Sequence, residues 1–238
     1  MIRTDTWMEF NGHDFDGYLI VEEVTRSFLP GISNRYVKGY HLDDEIQPTV
    51  ITVRVRLIQN SNHELTELKR TIAGMLYTNE PKKLLLYDDP IRYDLAKIDG
   101  STDYSKLWTT GSAELKFINY SGLSISNRVK SIPINTSSEI MVGGTWETKP
   151  VIKVIFNSTA SSYKITNLTT GEYVEITGQS FAGGNQLIID CDNELVTLNG
   201  NNIMKKVTIQ SDFFALKPGK NVITSTRAGT IEFDEVWL

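Results

Sequence analysis

The chain has 238 residues, of which 40% are hydrophobic and 22% charged, and its formal net charge is −5. A chain of that length forms one large or two modest domains and buries roughly 70–75% of its extended surface, so it needs no covalent staples. The acidic balance argues against a nucleic-acid binder, which needs a Lys/Arg surplus to displace counterions, and leaves no polybasic patch for anionic lipid; the single cysteine, Cys191, rules out an intrachain disulfide framework.

The N-terminal stretch MIRTDTWMEF carries an acid early and has no apolar run, so it does not read as a signal peptide. No later stretch approaches the roughly 18 apolar residues of a spanning helix. Between Phe28 and Pro48 the chain is polar and turn-rich, with Asn34, Arg35, Lys38, His41, Asp43, Asp44 and Glu45, and strand-like segments lie on both sides. A polar excursion of this length, centred on 32–48, is either a flexible loop or an arm that packs on another chain. Ile51, Val53, Val55 and Leu57 then alternate with Thr52, Arg54 and Arg56, the period-two pattern of a half-buried antiparallel strand.

The period changes between Ser61 and Thr78. Leu65, Leu68, Ile72, Met75 and Leu76 recur at spacings of three and four, which predicts a helix over 61–78. Ser61 and Glu64 compose a capping box at its start, and Pro81 follows soon after its end. The run Leu84-Leu85-Leu86-Tyr87 is apolar on both faces and predicts a central strand, with Asp88-Asp89-Pro90 as the turn after it. Leu115 and Phe117 alternate with Glu114 and Lys116 in another strand.

Residues 119–150 are rich in Ser, Asn, Gly and Pro and read as a linker or loop region. Beyond Pro150, short strands come at even spacing, separated by turns at Thr170-Gly171, Asn199-Gly200, Pro218-Gly219 and Ala228-Gly229, with a strand near Val207. That pattern predicts a β-sandwich or jelly roll. The expected division is an N-terminal domain over 1–130 and a C-terminal domain over 131–238, unless the last strand, TIEFDEVWL, returns to the first domain.

Few residues suggest chemistry. His13, His41 and His63 are not spaced as metal ligands and have no cysteine partner, so neither metal nor cofactor is expected. Cys191, alone in LIIDCDNEL, reads as a small buried hydrophobe. Asp190, Asp192 and Glu194 alternate like the start of a calcium loop, but Leu195 stands where the loop needs Gly and Asn201 where it needs Glu. Nothing separates Asp88-Asp89 from ordinary turn residues, and Gly143-Gly144 and Gly183-Gly184 lack the context of phosphate loops. No enzyme is expected. Among Trp146, Tyr163, Tyr173 and Phe181, a saccharide-stacking platform carried by Tyr163 and Tyr173 competes with core packing.

The segment NGNNIMKKVTIQSDFFALKPGKNVIT carries Asn199-Gly200, Ser211-Asp212-Phe213 and Leu216-Lys217-Pro218-Gly219-Lys220-Asn221. It resembles the end of the distal tail protein family of siphophages. The N-terminal half is similar to the family in its order of elements: an early Phe10-Asn11-Gly12, a polar excursion, a strand with alternating Arg, one helix, and the LLLYDDP strand and turn. Pro218 fixes φ, Gly219 accepts a conformation closed to other residues, and Asn221 can hold the turn through its amide.

The resemblance implies a mainly β protein: an N-terminal β-sandwich-like domain with one α-helix, plus a C-terminal galectin-like or jelly-roll β-sandwich. It implies a structural virion protein of the tail tip, assembled in the host bacterial cytoplasm, whose copies form a homohexameric ring. That ring would join the tail tube protein to the tail-tip or tail-associated protein and to a receptor-binding protein. Phage DNA would pass through its lumen without specific binding, and no membrane is implied. The excursion at 32–48 becomes a belt that reaches the neighbouring subunit, with Arg35, Lys38, Asp43, Asp44, Glu45, Arg54 and Arg56 as inter-subunit residues. The competing function is a carbohydrate-binding module that contacts host cell-wall saccharide.

Overall fold

The structure is a computed structural model that describes residues 6–27, 29–37, 40–58, 62–100 and 112–238. It divides into two units, one of residues 1–127 with Leu238 and one of residues 128–237.

In the first unit, the short strands β1 (Met8–Phe10) and β2 (His13–Asp14) precede β3 (Leu19–Thr25), the hairpin strands β4 (Ile32–Val37) and β5 (Tyr40–Ile46), and β6 (Thr49–Leu57). Helix α1 (Asn62–Leu76), β7 (Lys82–Leu86), β8 (Arg92–Ile98) and the long β9 (Ser112–Ser126) complete it. The order along the sheet is β2-β1-β7-β8-β9-β6-β3, so β7, which carries the Leu84-Leu85-Leu86 run, has a neighbour on each side. The alternation read from Ile51 to Leu57 sets register and face together. Ile51 pairs with Phe117, Val53 with Leu115 and Val55 with Ala113, and all six side chains are buried. A slip of one residue in β6 would turn Ile51, Val53 and Val55 to the opposite face.

The helix covers this apolar face. Ile72 and Leu76 are buried, and Leu68 and Met75 pack at the edge of the cluster formed by Leu19, Val55, Leu57 and Leu115. The helix therefore forms within the expected 61–78, over Asn62–Leu76. Ser61 of the expected capping box and the side chains of Glu64 and Leu65 lie outside the described residues.

The second unit opens with β10 (Lys130–Ile134) and β11 (Ser137–Val142), followed by β12 (Val151–Ile155), β13 (Ala160–Asn167), β14 (Tyr173–Phe181), β15 (Gln186–Asp190) and β16 (Leu195–Leu198). It closes with β17 (Asn201–Asn202), a single 3₁₀ turn at Met204–Lys206, β18 (Gly219–Ser225), β19 (Gly229–Phe233) and β20 (Val236–Trp237). Two antiparallel sheets result, ordered β10-β19-β12-β15-β16-β17 and β11-β18-β13-β14. Between them lies one cluster that includes Phe156, Tyr163, Phe181, Leu187, Phe214 and Ile231. This is the expected sandwich.

Two expectations fail. Residues 119–150 are not a linker: β9 runs to Ser126, and β10 and β11 follow it closely. Their serines all lie in strands, at exposed or half-buried positions, which composition alone cannot distinguish from loop. The strand expected near Val207 is reduced to an isolated bridge between Val207 and Ile176, because the 3₁₀ turn uses the residues just before it.

Leu76→Ala would remove a fully buried side chain from the helix–sheet contact. Urea unfolding should show a loss of about 2–5 kcal/mol; an unchanged midpoint would mean that the stripe does not pack.

Candidate assembly site

The polar excursion folds as a β-hairpin. Its strands pair from Ile32↔Ile46 to Val37↔Tyr40, with one register shift between Arg35 and Tyr36, and the Gln47 amide donates to the Gly31 carbonyl (2.8 Å) to close the base. Among the described residues the hairpin pairs with no other strand. The side chains of Arg35, Lys38, Asp43 and Asp44 lie outside the described residues, and Glu45 is exposed.

The base of the hairpin lies against a bulge in β9. Ala96 pairs with Asn119 but Asp94 pairs with Ser124, so residues 120–123 leave the ladder. The buried Asn119 replaces the lost bonds. Its Oδ1 accepts from the Ser121 amide (3.1 Å) and the Gly122 amide (3.2 Å), and its Nδ2 donates to the Leu123 carbonyl (2.9 Å) and to Asp94 (3.2 Å). Gly122 sits at the apex with φ +66°, and a Cβ there would stand 2.6 Å from Ile46 Cγ2 and 3.0 Å from the Gln47 carbonyl. Only glycine allows the bulge to close on the hairpin base in this way.

Asp94 beneath the bulge is 5% exposed. Burial raises its pKa, and the hydrogen bond from Ser124 (2.8 Å), the Arg26 guanidinium at 3.7 Å and the bond from Asn119 only partly offset this. Arg26 also pairs with Asp88, and Asp89 accepts from Arg92 (3.1 Å), so the Asp88-Asp89 carboxylates are both tied to arginines.

Arg54 and Arg56 were expected to face acids across a subunit junction. Within the chain both turn to Glu22, Arg54 at 3.6 Å and Arg56 in closer contact. The cause is a bulge in β3 between Val21 and Glu23, which sets Glu22 out of register beside the two arginines.

In the second unit the turn residues behave as their chemistry dictates. Asn199 and Gly200 take φ +50° and +80° between β16 and β17. Gly219 has φ +91°, and the fully buried Asn221 accepts from the Lys217 amide (3.0 Å) while donating to the carbonyls of Lys217 (2.7 Å) and Gly219 (3.3 Å).

The aromatic platform does not exist as expected. Tyr163 is fully buried, its hydroxyl 2.9 Å from the Ser225 hydroxyl, and burial pushes its pKa well above the ordinary value. Phe181 is buried and stacked on Phe156, and the Tyr173 ring lies under the Lys164 ammonium at 3.8 Å. Inward-facing alternation with Ile165 takes Tyr163 into the core.

Cys191 is buried, which pushes its thiol up to about 12 and leaves it unreactive. Partial burial would raise Asp190, but the backbone and side chain of Asn193 and the backbone of Asp192 donate to it and hold it below its ordinary value. The alternating acids are thus a hairpin turn. Among the described residues, no group of three His, Cys, Asp or Glu side chains could hold a metal ion.

Two family models match in chain order. Residues 29–119 match the phage tail protein RIFT-related domain, and residues 143–237 match the siphovirus-type tail component, C-terminal domain. Over 97% of its length the chain is 26% identical to the distal tail protein of Bacillus phage SPP1, covering 95% of that protein. The chain belongs to the siphovirus distal tail protein family. The fold agrees. The crystal structure of the phage SPP1 distal tail protein, described as a paradigm of the hub adsorption apparatus in phages that infect Gram-positive hosts, superposes with a TM-score of 0.84 at 19% identity, covering 98% of this chain and 99% of that one. A chain of the phage P2 baseplate, in its activated conformation with calcium, superposes with a TM-score of 0.52 at 9% identity over 98% of each chain.

Two measurements probe these distal tail protein features. Asn221→Ala leaves three backbone groups of the turn without their partner, and should cost about 2–4 kcal/mol in chemical denaturation. A cost near zero would show that the turn holds itself. For Asp94, a folded pKa raised above the unfolded one means that the anion is penalised. Its contribution therefore improves as pH falls from neutral through the folded value towards the ordinary carboxylate value of 3.8. Asp94→Asn keeps the acceptor for Ser124 and removes the charge. Its thermal stability relative to wild type should be highest at neutral pH and decline as pH falls through that window; a pH-independent difference would contradict the assignment.

Proposed function

We propose that the chain is the structural hub of a siphovirus tail tip, and that its copies form a closed ring, six in number, held in part by the β4–β5 hairpin. The observation that carries this reading is the hairpin. An isolated two-stranded sheet is marginal in water, yet among the described residues this one pairs with no other strand, and its base lies against the β9 bulge. Such an element gains its remaining stability from a surface that its own chain does not supply. An arm laid on the next copy gives the heterologous contact from which a ring is built.

The first unit, with the arm and the helix, makes the ring in this reading, and the C-terminal sandwich provides contacts with other tail components. The ring joins the tail tube protein to the tail-tip or tail-associated protein and a receptor-binding protein, and is assembled in the host bacterial cytoplasm. A net charge of −5 suits a lumen through which DNA moves without being held. Catalysis has no part in it. Asp88 and Asp89 are engaged by arginines, Asp190 by its own turn, and the single thiol is buried.

Replacing residues 34–46 with a short Gly/Ser linker tests both levels of the proposal. Light scattering over a range of concentrations should give the mass of six 26.8 kDa copies for the intact chain and a smaller mass for the variant. An intact chain that stays monomeric at high concentration, even with its tail partners, overturns the ring. A variant that forms the same rings as the intact chain leaves the ring standing and removes the arm.

A further inference from the structure

The turn motif that marks the family also walls a groove. Glu147, Thr169, Thr170, Glu172, Phe213 and Lys217 line a concavity of about 550 Å³ in the second unit, within the size range of small-ligand sites.

Its walls are fixed from beneath. Asn167, fully buried, donates to the Ala215 carbonyl (3.1 Å) and accepts from the Thr169 amide (3.0 Å). Thr148 and Leu216 exchange both backbone hydrogen bonds (3.0 and 2.7 Å), and Asn221 holds the Lys217–Gly219 turn. A groove built on satisfied, buried amides is pre-organised, so a ligand need not order it. Phe213 is half-buried: it packs on the core cluster and also lines the groove.

Charge decides the ligand class. Lys149 and Lys220 stand on the same rim, but each lysine already faces a carboxylate: Lys149 with Asp192 at 3.8 Å, Lys217 with Glu147 at 3.6 Å and Lys220 with Glu139 at 2.5 Å. A balanced rim presents no cationic field to an anionic polymer. It does present donors and acceptors side by side around one aromatic ring, and an uncharged ring bearing hydroxyls uses both. A second polar groove of this unit, lined by Ser161, Ser162, Ser180, Thr226 and Arg227, has no aromatic in its lining and offers no stacking surface.

We infer that the groove beside Phe213 binds a neutral saccharide, stacked on the Phe213 ring with its hydroxyls bridging Glu147, Glu172, Lys217 and Thr170. This site replaces the Tyr163 and Tyr173 platform and is independent of ring formation.

The test uses the full chain and neutral oligosaccharides of glucose, galactose and N-acetylglucosamine as probes, with inorganic polyphosphate as the anionic control, read by calorimetry and saturation-transfer NMR. At least one neutral probe should bind, about tenfold more weakly to Phe213→Ala. The paired changes Glu147→Gln, exposed, and Glu172→Gln, half-buried, should weaken binding severalfold while the chain stays folded, and carry the test if Phe213→Ala fails to fold. No binding of any neutral probe at millimolar concentration, unchanged binding in the carboxamide variant, or binding of polyphosphate alone would each overturn the site. Scattering mass of the carboxamide variant reads assembly separately, so loss of the groove is not mistaken for loss of the hub.

Discussion

A strand can leave its ladder inside a protein only where something other than water satisfies its amides and carbonyls. In this chain that role falls to buried asparagines. Asn119, Asn167 and Asn221 are 1%, 0% and 0% exposed, and each both donates and accepts towards backbone where pairing stops. A carboxylate in their place would accept but not donate, and an aliphatic residue would do neither. The β9 bulge, the Thr169 turn and the Pro218-Gly219 turn all depend on this one side-chain chemistry, and the surfaces proposed for assembly and for ligand binding are built on those three features.

The bulge links local chemistry to assembly. Asn119 shapes the excursion of residues 120–123, Gly122 brings it against Ile46 and Gln47, and the hairpin thereby leaves the sheet from a fixed base. The buried Asp94 adds an electrostatic cost beneath the same point, which Arg26 offsets only in part. Protein interiors tolerate such a carboxyl where its hydrogen bonds position something, and here they position the strand residue that carries the bulge.

Much of this was visible in the residues. The three-and-four spacing of Leu68, Ile72 and Leu76 led to α1, the alternation from Ile51 to Leu57 led to β6, and Pro218, Gly219 and Asn221 described their turn before any partner was known. Other features depend on contacts that are distant in sequence. Nothing near Gly122 announces that Ile46 will stand 2.6 Å from its absent Cβ. Arg54 and Arg56 find Glu22 only because a bulge in β3 turns it towards them. The burial of Tyr163 was within reach, since it shares its alternation with Ile165; its aromatic character drew attention to the surface when its spacing pointed inward. The run from 119 to 150 misled for the opposite reason, because serines on an exposed strand face have the composition of a loop.

The one thiol of the chain has a consequence for any assembly of its copies. Cys191 lies in the sandwich core, 1% exposed and held in its neutral form at ordinary pH. Copies of this chain therefore have no sulfur with which to lock to one another, and passage from a reducing cell interior to an oxidising exterior changes no bond between them. Cohesion in any such assembly would have to come from contacts other than disulfides. Such contacts can be loosened by denaturant, ionic strength or dilution but not by a reductant, and load on such an assembly is shared among many weak attachments rather than carried by a few covalent ones.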